Sequence, residues 1–175
     1  MADLRSFDKM PLLNAGAVLL LGGEESWRER LAQALLRDPR SFQVQIHMAP
    51  GLPLPTDPHR PRFDLLVLFI SLHSPAGLTE ALRDLSRMDP HFLLGRVCFV
   101  AAAGGARRPR ALEEEAVRRL ADTHCSPLLF LHTDSEEDVR CVARRLLQLL
   151  SVCAGLVPGV SALSLASFTW SSTGN

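Results

Sequence analysis

Apolar positions along this chain fall into short unbroken runs separated by longer stretches with helical spacing. The run Ala17-Val18-Leu19-Leu20-Leu21, closed by Gly22-Gly23, predicts a buried strand entering a tight turn. Trp27, Leu31, Ala34 and Leu35 then recur at helical spacing as far as Pro39, and Ser26 with Glu29 forms the S-x-x-E pattern of a capping box. Over 42–48, Phe42, Val44, Ile46 and Met48 alternate with Gln43, Gln45 and His47, the pattern of an edge strand with one wet face. Five prolines between positions 50 and 61 remove too many backbone donors for a helix or an inner strand, so this stretch reads as a loop.

The stretch 63–70 is apolar apart from Asp64 and predicts a central strand, 96–101 predicts another, and 127–131 a further short one. Three helical stripes complete the pattern. Leu78, Ala81, Leu82, Leu85 and Met88 make the first, and Leu112, Ala116, Val117, Leu120 and Ala121 the second. The third runs through Val139, Val142, Ala143, Leu146, Leu147 and Leu150, between a capping pattern at 133–136 and a C-cap at Gly155. Strands alternating with helices, the inner strands lacking a period of two, predict a three-layer α/β sandwich with a mostly parallel sheet.

With 175 residues, 47% hydrophobic and 22% charged, the chain suits one domain over 1–175, carrying an apolar C-terminal extension from about residue 156. Nineteen basic residues balance nineteen acidic ones, so no overall field draws the chain to nucleic acid, anionic lipid or acidic substrates. The only lysine is Lys9, ahead of the first apolar run, which excludes phosphate-loop and Schiff-base lysines downstream. Cys98, Cys125, Cys141 and Cys153 form no CxxC pair and no zinc-ligand spacing. The opening residues lack a basic leader followed by an apolar segment, so an intracellular protein with reduced thiols is expected.

Ligands of α/β sheets sit at the carboxyl ends of the strands, so the turn after the first strand is the place for a phosphate site. Matching G-x-x-x-x-G-K-[ST] from Gly22 places Trp27 at the second glycine, Arg28 at the lysine and Glu29 at the hydroxyl residue. Trp27 would fill the space, Glu29 cannot replace the hydroxyl, and Glu24 and Glu25 add negative charge where a phosphate would lie. This is a degenerate P-loop with no expected nucleotide, and no cofactor is implied elsewhere. The six histidines form no H-x-x-x-H pair, no G-x-S-x-G elbow occurs, and His124-Cys125 are adjacent residues at a helix end, pointing apart. Acidic triplets at 113–115 and 136–138 open helices, where the macrodipole favours negative charge. Arg107, Arg108 and Arg110 form one basic cluster, read as a solvated loop.

No charged residue follows Arg145. A tail anchor needs about twenty apolar residues, whereas polar residues, Gly155, Pro158 and Gly159 interrupt this segment; a buried helix followed by a protein-docking tail also accounts for it. Two apolar residues stand out as partner-binding candidates. Leu94 follows Phe92 and Leu93 just before a strand, and Leu163 lies beyond the last helix after the Pro158-Gly159 turn; each is either a docking residue or a satellite of the core.

The chain resembles the centromere protein M family. The likeness is carried by Leu12-Leu13-Asn14, Leu52-Pro53-Leu54-Pro55, Arg60-Pro61-Arg62 with Asp64-Leu65, Leu72-His73-Ser74, Phe92 with Leu94-Gly95 and Val97-Cys98-Phe99, Ser126-Pro127-Leu128-Leu129, and Cys153-Ala154-Gly155 followed by Val157-Pro158-Gly159-Val160-Ser161-Ala162-Leu163. The resemblance implies a small-GTPase-like fold without GTPase activity. Where active enzymes carry D-x-x-G, Met48-Ala49-Pro50-Gly51 keeps only the glycine, and where they carry N-K-x-D, Ala102-Ala103-Gly104-Gly105 keeps none of the side chains. It further implies a nuclear, non-catalytic adaptor of the inner kinetochore. Its principal partner would be the helical-repeat centromere protein I, with centromere proteins H and K and the wider constitutive centromere-associated network, and DNA contacted at most within the complex. The competing expectations are a residual nucleotide-binding enzyme and a tail-anchored membrane protein.

Overall fold

The computed structural model describes residues 2–105 and 111–165. A first strand, β1 (Ala15–Gly22), leads to helix α1 (Glu25–Arg37) and strand β2 (Gln43–Ala49). After the proline-rich loop come β3 (Leu65–Ser71), α2 (Ala76–Arg87), a short 3-10 turn (Pro90–Leu93) and β4 (Val97–Ala103). Helix α3 (Ala111–Thr123), β5 (Leu128–His132) and α4 (Glu136–Cys153) follow. The five strands form one parallel sheet in the order β2-β1-β3-β4-β5. This is the expected three-layer sandwich, with the alternating segment at the edge and the unbroken runs of β1, β3 and β4 in the interior.

Each face of the sheet carries its own core. Leu19, Leu21, Leu66, Leu68 and Phe99 project towards α2 and α3, while Val18, Leu20, Val67, Cys98 and Val100 project towards α1 and α4. The side chains of one strand point alternately up and down, so an interior strand must be apolar throughout to serve both cores. Leu4, Leu52 and Phe63 are buried on the α2/α3 side, so the N-terminal lead and the proline loop cover part of that face.

Several local expectations shift. Helix α1 is capped by Glu24, in extended conformation and without a side-chain cap bond, so Ser26 lies in the first turn and the capping box does not form. The Gly22-Gly23 turn ends early enough for the Glu24 carbonyl to accept from the Trp27 and Arg28 amides, which starts the helix before Ser26. Helix α4 is capped by Ser135, whose hydroxyl accepts from the Asp138 amide, and Gly155 closes it at φ 75°, with Leu156 N–H on the Ser151 carbonyl. On α2 the inward position belongs to Asp84, whereas Leu82 is 46% exposed. The alternation of β2 fails at its end: Met48 is exposed and His47 half-buried, the imidazole meeting the Phe63 ring edge at 5.3 Å. The cluster Arg107, Arg108 and Arg110 lies outside the described residues, as does Phe168.

Candidate functional site

At the carboxyl end of the sheet, where an α/β fold holds its ligand, the described loops are held by the chain's own hydrogen bonds. Gly22 and Gly23 adopt φ of 79° and 64°, and their carbonyl oxygens both accept from Arg28 Nη1, at 2.6 and 2.8 Å. Arg28 is buried, and its guanidinium occupies the turn from within. Trp27, given the role of space-filler, is instead part of the α1/α4 core, with Cε3 3.3 Å from where a Gly23 Cβ would stand. Glu29 is exposed. Of the degenerate P-loop residues, Gly22 and Arg28 thus meet, Trp27 backs the turn at Gly23, and Glu29 faces solvent.

The neighbouring loops are tied in the same way. The Gly104 amide donates to His73 Nε2 at 3.1 Å, and the Gly105 amide donates to the Asp134 carboxylate. Arg30 donates to the Thr133 carbonyl and pairs with Glu136 at 2.6 Å. Beyond β2, the Asp84 carboxylate from α2 accepts from the Leu52 amide at 3.1 Å, and Arg87 donates to the Leu52 carbonyl at 2.7 Å. The acidic group nearest the expected D-x-x-G position is therefore committed to a loop amide. Among the described residues no cluster of three or more His, Cys, Asp or Glu has metal-site geometry.

The amino end of the sheet is built differently. Leu94 is 48% exposed and Leu163 58% exposed, and the backbone joins them: Gly95, at φ 87°, lies so close to the Ala162 carbonyl that any Cβ there would overlap it. Ala162 is buried and anchors the segment after α4, while Leu165 packs against the α1/α4 core and Val160 stays exposed. Cys153 Sγ donates to the Gly95 carbonyl at 3.3 Å, and Arg96 Nη1 to the Cys153 carbonyl at 2.8 Å, locking the end of α4 to the entry of β4. Burial pushes the Cys153 thiol up to about 12 and raises Cys98 as well, so both act as packing groups.

Beneath this end lies a buried charge cluster. Asp64 accepts from the Ala17 amide at 3.0 Å and pairs with Arg62 at 3.1 Å and Arg96 at 4.0 Å. The Phe7 ring covers both guanidiniums, with centroid distances of 5.4 and 4.7 Å. Phe7, Leu12 and Leu13 are exposed at 53%, 43% and 97%, so apolar surface gathers where the strands begin. Sequence reasoning missed the contributions of Asp64, Arg96 and Phe7; a carboxylate beside an apolar strand was the one visible signal.

A five-stranded parallel sheet between two helical layers is a small-GTPase-like α/β sandwich, here with Arg28 folded into its first turn. The chain belongs to the centromere protein M family, whose model, described as Centromere protein M (CENP-M), matches residues 1–172. A Xenopus laevis protein named Centromere protein M is 55% identical over 170 residues, covering 96% of this chain and 94% of the relative. The Homo sapiens protein of that name is 40% identical over 174 residues, covering 99% of this chain and 97% of the relative. For the Danio rerio protein the identity is 36%, with 97% and 92% covered.

Proposed function

We propose that this chain is a non-catalytic adaptor of the inner kinetochore, a pseudo-GTPase working in the nucleus as one domain over 1–175 with an apolar C-terminal extension. The observation that supports this reading is a contrast between the two ends of the sheet: Arg28 fills the first turn at the ligand end, and Leu94 and Leu163 stand exposed on either side of the Gly95–Ala162 contact at the opposite end. Exposed apolar side chains held on rigid backbone serve as anchors for a protein partner. Following the family resemblance, that partner is the helical-repeat centromere protein I, within a complex with centromere proteins H and K that connects to the constitutive centromere-associated network. Any contact with DNA is made through the complex.

The test is co-expression with proteins H, I and K, comparing wild type with Leu94→Ala and Leu163→Glu. Loss of an interface anchor costs about 2 kcal/mol or more, so recovery of the complex should fall at least about tenfold in affinity terms. The free variants should melt within a degree or two of wild type, because both side chains are exposed. Normal assembly of both variants, or saturable binding of fluorescent GTP or GDP with magnesium, overturns the reading. No helix among the described residues is long and apolar enough to cross a membrane.

A further inference from the structure

We propose that the first turn of the fold is a cation cradle liganded in cis by Arg28, and that this internal guanidinium takes the place which the sheet architecture reserves for an external anion. The inference goes beyond the adaptor role and does not depend on it.

A phosphate loop works because its backbone amides converge on the ligand. Here the polarity is reversed. The Gly22 and Gly23 carbonyls converge on a single guanidinium nitrogen at 2.6 and 2.8 Å, presenting the negative ends of two peptide dipoles to the centre of the turn. The turn lies close against β3: a Cβ on Gly23 would stand 2.7 Å from Phe69 Cβ, so only glycine fits at this position.

The guanidinium itself points to a ligand role. Arg28 is 6% exposed, and among the described residues no carboxylate lies within ion-pair distance of it. Its Nε is buried without a hydrogen-bond partner. A buried cation that lacks a counter-ion is costly unless fixed dipoles replace its hydration, and the two carbonyls are the groups that do so here. The matching ligand class is a compact N–H cation: a guanidinium first, an ammonium second.

Removing the side chain should therefore leave a cradle that small guanidinium ions refill. Arg28→Ala is expected to lower the melting temperature of the full chain, and about 20 mM guanidinium chloride should restore about 1–2 °C relative to the same concentration of sodium chloride, by preferential binding to the folded form. Wild type should show no such gain. Arg28→Lys should melt between the two and respond less than Arg28→Ala. Magnesium GDP should not stabilise Arg28→Ala, because the inward carbonyls repel phosphate. If Arg28→Ala does not fold, the wild-type arginine side-chain resonances decide the matter: Arg28 should show slowly exchanging, separately resolved Nη–H signals. Averaged, rapidly exchanging Arg28 signals overturn the proposal. Equal responses of Arg28→Ala to guanidinium and sodium, or its saturable stabilisation by magnesium GDP, also overturn it.

Discussion

Gly95 and Ala162 meet backbone to backbone, the carbonyl of Ala162 occupying the space where any other residue at 95 would place its Cβ. Leu94 and Leu163, one residue along from each, become neighbours through this contact. Gly95→Ala should then cost about 1–3 kcal/mol, combining left-handed strain at φ 87° with overlap. At about 2–4 °C per kcal/mol for a chain of this size, thermal unfolding should show a clear drop. Gly159→Ala, at φ 75° but with open space around the new methyl, should lose less. Equal losses in the two variants would remove the packing argument and leave only strain.

Exposure alone should not create a docking site. Leu36 and Leu82 are 55% and 46% exposed on α1 and α2, comparable to Leu94, but they project from the helical layers. If the proposed helical-repeat partner docks at Leu94, Leu36→Ser and Leu82→Ser should assemble with it as wild type does, in the same co-purification in which Leu94→Ala is expected to fail.

Among the described residues, Asp64 is the carboxylate that pairs with both Arg62 and Arg96, all three largely buried. Asp64→Asn keeps an acceptor for the Ala17 amide but leaves two guanidiniums without a counter-ion. Breaking such a buried cluster costs about 3–5 kcal/mol, so a lower denaturation midpoint is expected. Arg62→Met should cost less, since Arg96 and Asp64 still balance.

Burial lowers the His47 pKa from the ordinary 6.5, with Asp57 opposing and Arg60 reinforcing that shift. The unfolded chain therefore takes up this proton first on acidification. Stability from this residue should be full above 6.5 and decline as the pH falls towards the lowered folded value. Denaturation curves at several pH values should show the slope in wild type and a weaker slope in His47→Gln.

The four cysteines should divide by burial. Cys98 and Cys153 are buried with raised thiol pKa values, whereas Cys141 is exposed on α4. Brief alkylation of the native protein, followed by peptide mass analysis, should modify Cys141 and spare Cys98 and Cys153 until the chain is unfolded.

The strand–helix alternation and the edge or interior place of the strands were legible because their signals are local: an interior strand must be apolar on both faces, and 63–70 and 96–101 display that directly. The site was legible in half. Leu94 and Leu163 could be singled out as apolar residues near turns, but their adjacency depends on Gly95 receiving a carbonyl from a distant segment, which no local pattern encodes. Arg28 appeared only as the residue at the lysine position of a degenerate P-loop, whereas its fold-back depends on carbonyl directions set by the Gly22 and Gly23 dihedrals. The misplaced cap at Ser26 has the same origin: a favourable short-range pattern lost to a helix start fixed by the preceding turn.

The connection from β2 to β3 passes over the sheet without a helix, and its five prolines change what that arrangement requires. A helix lends order to a crossover through its own hydrogen bonds. A proline-rich segment reaches order from the other direction, because each ring has already removed backbone freedom from the unfolded chain, leaving less entropy to surrender when Leu52 and Phe63 settle on the core. Replacing those prolines would therefore weaken the protein in part through its denatured ensemble.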